Sequence, residues 1–218
     1  MTSIERASRA RDAARSREAI LCAGVRLFAE AGYDGATLQQ IGQRAGLSRA
    51  APAYFFGSKR KLYDRVLDQL FAERDRAMHE AFGPLQAWSR NETDQTLDEV
   101  LTSAIAGYLD FLLGHPHFVR VVQWEAVSGG ARLRAAPSRS RVAEEAFQTL
   151  SAASRQRGLA AFDAREAVVV FTSLCFFPIA YQTTFLGGLG LSLGTGRERR
   201  RHTDLVVGAL SQLIRPAP

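Results

Sequence analysis

Lysine is almost missing from this 218-residue chain: Lys59 and Lys61 are the only two, and every other basic residue is arginine. That imbalance reads as compositional bias and carries no functional content. Cysteine is equally scarce. Cys22 and Cys175 stand far apart, each inside an apolar helical stripe. This excludes a disulfide-stapled scaffold and a thiolate metal site, and predicts two buried free thiols in a reducing cytoplasm. The four histidines, His79, His115, His117 and His202, include no set with metal-ligand spacing. No strand precedes a Gly-rich phosphate loop, and no Ser or Cys has a recognisable catalytic partner, so an enzyme is the poorer reading and no cofactor is expected. The first twenty residues lack an apolar run, which predicts no secretory leader. One stretch, residues 167–196, has no charged side chain and is long enough to span a bilayer. Its Thr, Gln and Pro residues and Gly-rich last third also fit a helix buried between protein layers, the preferred reading.

Charge is present, but unevenly placed. Residues 1–65 hold twelve Arg or Lys against six Asp or Glu, and residues 66–218 hold sixteen of each. The whole net charge of +6 therefore lies in the first third, the footprint of a polyanion-binding segment or simply a solvated face.

Within that third, residues 37–56 read as two short helices and a tight bend. Thr37 and Gln40 form a capping box, Gly46 suits a left-handed helix end, and Ser48 is placed to cap the second helix. Ile41, Ala45 and Leu47 face inward, closed over by Phe55 and Phe56. Such a pair is either an ordinary helical hairpin or a helix-turn-helix, whose second helix enters a DNA major groove. Before it, residues 17–31 carry Ile20, Leu21, Gly24, Leu27 and Phe28 on one stripe. After it, Ser58 opens a helix with Lys59, Arg60 and Lys61 in its first turn, an arrangement that opposes the helix dipole unless a phosphate docks there.

The run from Ile20 to Leu62 resembles the DNA-binding domain of the tetracycline-repressor-like (TetR) family of bacterial transcription regulators. The likeness rests on Phe28, Gly32-Tyr33, Ala36-Thr37, Ile41, Ala45-Gly46-Leu47-Ser48, Phe56, Ser58-Lys59 and Leu62. The family usually has Leu-Tyr where this chain has Pro52-Ala53. Its phosphate-contacting Tyr is therefore absent from position 53, and Tyr54, about 100° further around the helix, is the candidate substitute. Arg49 and Gln39 are expected at base edges, and Thr37, Ser48, Tyr54 and Lys59 at phosphates, with Ala50 and Ala53 on the same face.

The remainder predicts an all-α chain of about nine helices: a basic arm over residues 1–14, a DNA-binding domain over 15–57 and a helical domain over 58–218. Helix four is expected to stop near Gly83-Pro84, and residues 129–137 to be a loop. Asp163 with Glu166 should cap a long apolar helix in which Pro178 frees a carbonyl near Leu174. Tyr108, Phe111, Trp124, Cys175 and Phe176, with Thr172 and Gln182 as polar anchors, are candidate walls of an effector pocket; core packing is the plain alternative. The resemblance implies a homodimer through the last two helices, with Phe185, Leu205, Ala209, Leu210 and Leu213 as candidate contacts, and a small-molecule effector that releases operator DNA. A DNA-binding protein without an effector and a membrane-associated helical protein are the competing classes.

Overall fold

The computed structural model describes residues 3–135, 141–159 and 162–214. Among them are eleven helical segments and no strand: α1 (Ser3–Gly35), α2 (Leu38–Arg44), α3 (Ala51–Phe56), α4 (Lys59–Ser89), α5 (Leu97–Gly114), α6 (Pro116–Val127), α7 (Ala131–Arg134), α8 (Arg141–Arg157), α9 (Ala164–Ala180), a π-helical turn (Gln182–Leu186) and α10 (Gly196–Ile214). The two segments beyond the expected nine are α7 and the π turn. No described helix is long and apolar enough to cross a membrane.

The chain divides into two compact units, Met1–Phe71 with Arg120–Ala135, and Ala72–Val119 with Ala136–Pro218. The division falls inside α4 and α6, so residue 57 lies within the first unit. In that unit Ile20, Phe28, Ile41, Leu62, Val66 and Leu67 are fully buried. Each such side chain contributes about 1.5–3 kcal/mol relative to exposure. Residues 3–14, expected as an arm, are helical and continuous with α1. Gly32 interrupts α1 with φ +70°, and a Cβ there would lie 2.9 Å from the Trp124 ring. Trp124 donates its indole N–H to Ala29 O at 3.1 Å. Beside it Glu125, buried to 1% exposure, accepts from the Tyr63 hydroxyl at 2.9 Å and meets Arg132 of α7 at 3.4 Å. Residues 131–134 of the expected loop are thus a helical turn whose Arg132 also lies over the Tyr33 ring. Pro137 lies outside the described residues.

In the second unit α5 packs on α9 and α10, and α8 on α9. Leu101, Ile105, Leu109 and Leu112 of α5 and Val206, Leu210 and Ile214 of α10 are all buried in this core. α4 continues through Pro84 to Ser89, contrary to the expected stop. Leu85 and Trp88 are buried, and the Arg157 guanidinium donates twice to Trp88 O at 3.0 and 2.7 Å. Those gains offset the proline's roughly 3 kcal/mol cost to a helix interior. Asn91, with φ 60°, follows the helix end. Asp163 caps α9 through the Arg165 N–H at 2.7 Å, without the reciprocal bond from Glu166 that a capping box requires. The carbonyl of Leu174, four residues before Pro178, is 2.9 Å from His202 Nε2, so the acceptor that proline leaves free is used by α10. The apolar helix ends at Ala180 and is followed by the π turn.

Candidate nucleic-acid interface

The site begins with α2. Gln40 N donates to Thr37 Oγ1 at 3.2 Å and Thr37 N to Gln40 Oε1 at 3.0 Å, which completes the capping box. The helix ends in a Schellman turn: Leu47 N donates to Gly42 O at 3.0 Å and Gly46 N to Gln43 O at 3.1 Å, with Gly46 at φ +68°. The turn is closed so tightly that a Cβ on Gly42 would stand 2.6 Å from Ser48 O and 3.1 Å from Pro52 Cδ. Nothing local to Gly42 signals the need for a bare Cα, which follows only from the position of the segment packed against it.

α3 starts later than expected. Its N-cap is Ala50, which makes no side-chain cap bond, and Ser48 instead accepts the Ala51 N–H on its carbonyl at 3.0 Å. Pro52 therefore occupies the second helical position, where no intrahelical N–H bond is lost and no bend is needed. It is buried against the turn, while Ala50, Ala53 and Tyr54 are open, Tyr54 to 83%. Thr37, Gln39, Ser48 and Arg49 are exposed on the same unit. With the Gln43 amide oxygen turned toward it, Arg49 donates from Nε and Nη2 at 3.0 and 2.9 Å, which holds the guanidinium in place ahead of any partner.

Lys59 is placed differently from its expected role. Its ammonium donates to Tyr33 O at 2.9 Å and Ala36 O at 3.0 Å and lies 4.4 Å from the Tyr33 ring centre. Two of three donors are thus occupied at the C-terminal end of α1, so Lys59 is a brace and not a free phosphate ligand. Cys22, expected to be buried, is exposed.

The candidate pocket residues are divided between the two units. Trp124 belongs to the first unit, where it packs on Gly32. In the second unit Tyr108, Phe111 and Cys175 are buried, Phe176 and Gln182 half-buried, and Thr172 exposed. Burial pushes the Cys175 thiol up to about 12 and the Tyr108 hydroxyl higher still, so both stay neutral at ordinary pH. A narrow seam of about 30 Å³ does exist, lined by Phe82, Leu101, Leu150, Phe171 and Leu210 among others. Of the candidate dimer contacts, Phe185, Leu205 and Ala209 are exposed and Leu213 is half-buried. Leu210 is 2% exposed and faces the unit's own core, so it is not a surface residue.

A basic unit that fixes a short helix across a Schellman turn, with its outer face open, defines a helix-turn-helix DNA-binding protein. Likeness to known proteins narrows the class. Residues 20–66 match the model for bacterial regulatory proteins of the tetR family, and residues 98–210 match the tetracyclin repressor-like C-terminal domain. The chain belongs to the TetR family of transcription regulators, a family without enzymatic activity. It is 28% identical over 190 residues, 85% of each chain, to the HTH-type transcriptional repressor NicS of Pseudomonas putida. Its fold matches SCO4942 of Streptomyces coelicolor at a TM-score of 0.67 and 16% identity, covering 92% of this chain and 99% of that one. It also matches AibR, solved with isovaleryl coenzyme A and operator DNA, at a TM-score of 0.60 and 16% identity, covering 93% and 100%.

Proposed function

We propose that this regulator is a ligand-released repressor that binds a pseudo-palindromic operator as a homodimer. The observation that carries the DNA-reading half is the open face of α3, on which Tyr54 is 83% exposed beside an Arg49 already oriented by Gln43. Two such helices, one per protomer, enter successive major grooves roughly 34–36 Å apart. Arg49 donates in bidentate fashion to a guanine and Gln39 contacts a neighbouring base edge. Thr37, Ser48 and Tyr54 hold phosphates and set the register, while Ala50 and Ala53 allow close approach to the groove. Lys59 supports this arrangement by tying α4 to the end of α1.

The dimer is formed through α9, the π turn and α10. Support comes from Phe177, Tyr181, Phe185, Leu189 and Leu205, which leave an apolar surface between 45% and 61% exposed. A closed twofold pair covers such a face on both copies at once.

The effector is a small apolar or aromatic molecule held in the second unit, at the seam between α4, α5, α8, α9 and α10. A cavity of about 30 Å³ holds about one water. The effector therefore favours an expanded packing of these helices, and that differential affinity is what shifts α4 and releases DNA. AibR, solved with isovaleryl coenzyme A and operator DNA, is a precedent on this fold.

The reading is tested by selecting duplexes from a random pool with the purified protein, then screening metabolites for release of the winner. Binding indifferent to base order would end it; an operator that no metabolite releases would favour an effector-free DNA-binding protein. Arg49→Ala should cost about 1–3 kcal/mol on the selected operator and relax one base position.

A further inference from the structure

Beside α3, on the same unit, lies a cleft of about 480 Å³ that the operator contacts above do not use. Its floor is apolar, from Leu21, Phe55 and Phe56, and its rim is Arg17, Lys61 and Arg65. All three cations are exposed, no carboxylate lines the cleft, and none of the three makes an ion pair among the described residues. Several other basic side chains of the unit are engaged: Arg15 with Asp12, Arg44 with Glu30, Arg132 with Glu125, and Lys59 on two carbonyls. Arg17 lies over the Phe55 ring at 5.3 Å, so the cleft joins directly to the helix proposed to read bases.

Three cations without a carboxylate partner around one apolar floor repel one another, and the Arg17 contact with the Phe55 ring offsets little of that. A lone small anion is a poor solution, since the rim offers only long exposed side chains. A duplex is a better one: it carries a charge per about 1.7 Å and rewards several weak contacts together, each with counterion release. The aliphatic stems and aromatic floor suit the C–H faces of deoxyribose. We infer that this cleft grips the sugar-phosphate backbone of the operator's flank, outside the base pairs that α3 reads, as a sequence-independent contact. The inference rests on the operator-binding reading and extends it to the length of DNA engaged.

The test uses the full-length protein and two duplexes: the selected operator trimmed to its required bases, and the same operator with about ten arbitrary base pairs on each side. Anisotropy titrations are run across a salt series for wild type, Lys61→Gln/Arg65→Gln, and the charge-conserving Lys61→Arg/Arg65→Lys. The wild type is expected to bind the longer duplex more tightly. The neutral variant, which removes two cations from each of two protomers, should lose at least tenfold to a hundredfold on it at 0.1 M salt, with a salt slope shallower by about three to four and base preference unaltered. The charge-conserving variant should keep the wild-type slope, and all three should bind the trimmed duplex alike. Equal losses on both duplexes, or an unaltered slope on the long one, would overturn the flank contact. A wild type that selects no operator would instead overturn the parent reading.

Discussion

Gly42 has room for a hydrogen and little else. Its Cα faces Ser48 O and Pro52 Cδ, and the added methyl of Gly42→Ala would overlap backbone at 2.6 Å. Either α2 and α3 separate or the turn distorts. We expect a loss of about 1–3 kcal/mol in thermal unfolding, the usual range for overpacking, with a larger fall in operator affinity because Arg49 and Tyr54 ride on the displaced helix. Unchanged stability would mean the turn is slack. Gly46 and the Thr37–Gln40 box are legible in the amino acids themselves, since each is satisfied within a few residues of itself. Gly42 is not, because its constraint comes from atoms six to ten positions ahead. The same holds for Lys59, whose charge suggests phosphate but whose partners stand 23 and 26 residues back.

Among the elements, α1 and α10 carry the sharpest contrasts. α1 is polar from Ala7 to Ala19, with every side chain exposed or half-buried, and first enters the core at Ile20. A helix without an apolar stripe has only local bonds to hold it, such as Ser16 Oγ to Asp12 O at 2.9 Å. Amide hydrogen exchange should therefore be fast over residues 3–16 and protected by orders of magnitude over 20–31; uniform protection would show that another surface covers the extension. On α10, Leu205 and Leu210 look equivalent in sequence, yet one is 61% and the other 2% exposed. Leu205→Glu should leave each protomer folded and yield monomers in sedimentation. Leu210→Ala should instead lower stability by about 2–5 kcal/mol through a cavity against α5. A dimeric Leu205→Glu protein would move the interface off this face. α4 teaches the complementary lesson. Gly83-Pro84 is a strong local stop signal, overruled because Leu85 and Trp88 have a core to enter and Arg157 secures the Trp88 carbonyl.

For the whole molecule, charge and chemistry are segregated. The net charge resides in residues 1–65, which supply the helix-turn-helix and the cationic cleft, whereas the balanced remainder supplies the apolar seam and the exposed aromatic face. Such a division suits a protein that holds DNA with one part and senses something uncharged with another. It predicts that raising salt weakens DNA binding steeply, while thermal unfolding of the second unit's core responds little, since burial of apolar surface is not screened. Parallel salt dependence of both quantities would contradict it.

Local order thus comes from the amino acids in series: the all-helical class, the capped helices, the Gly turns and the carbonyl left open before Pro178 all follow from interactions closed within about four residues. What the tertiary structure alone decides is where separate segments meet. It assigns Leu174 O to His202, Trp124 to Ala29 and Gly32, and Glu125 to Tyr63. It also turns Leu210 inward and leaves Leu205 outside. The reason is physical. Periodicity gives each helix an apolar stripe, but which part of that stripe meets a neighbour depends on the crossing of helices far apart in the chain, and no local bond reports that.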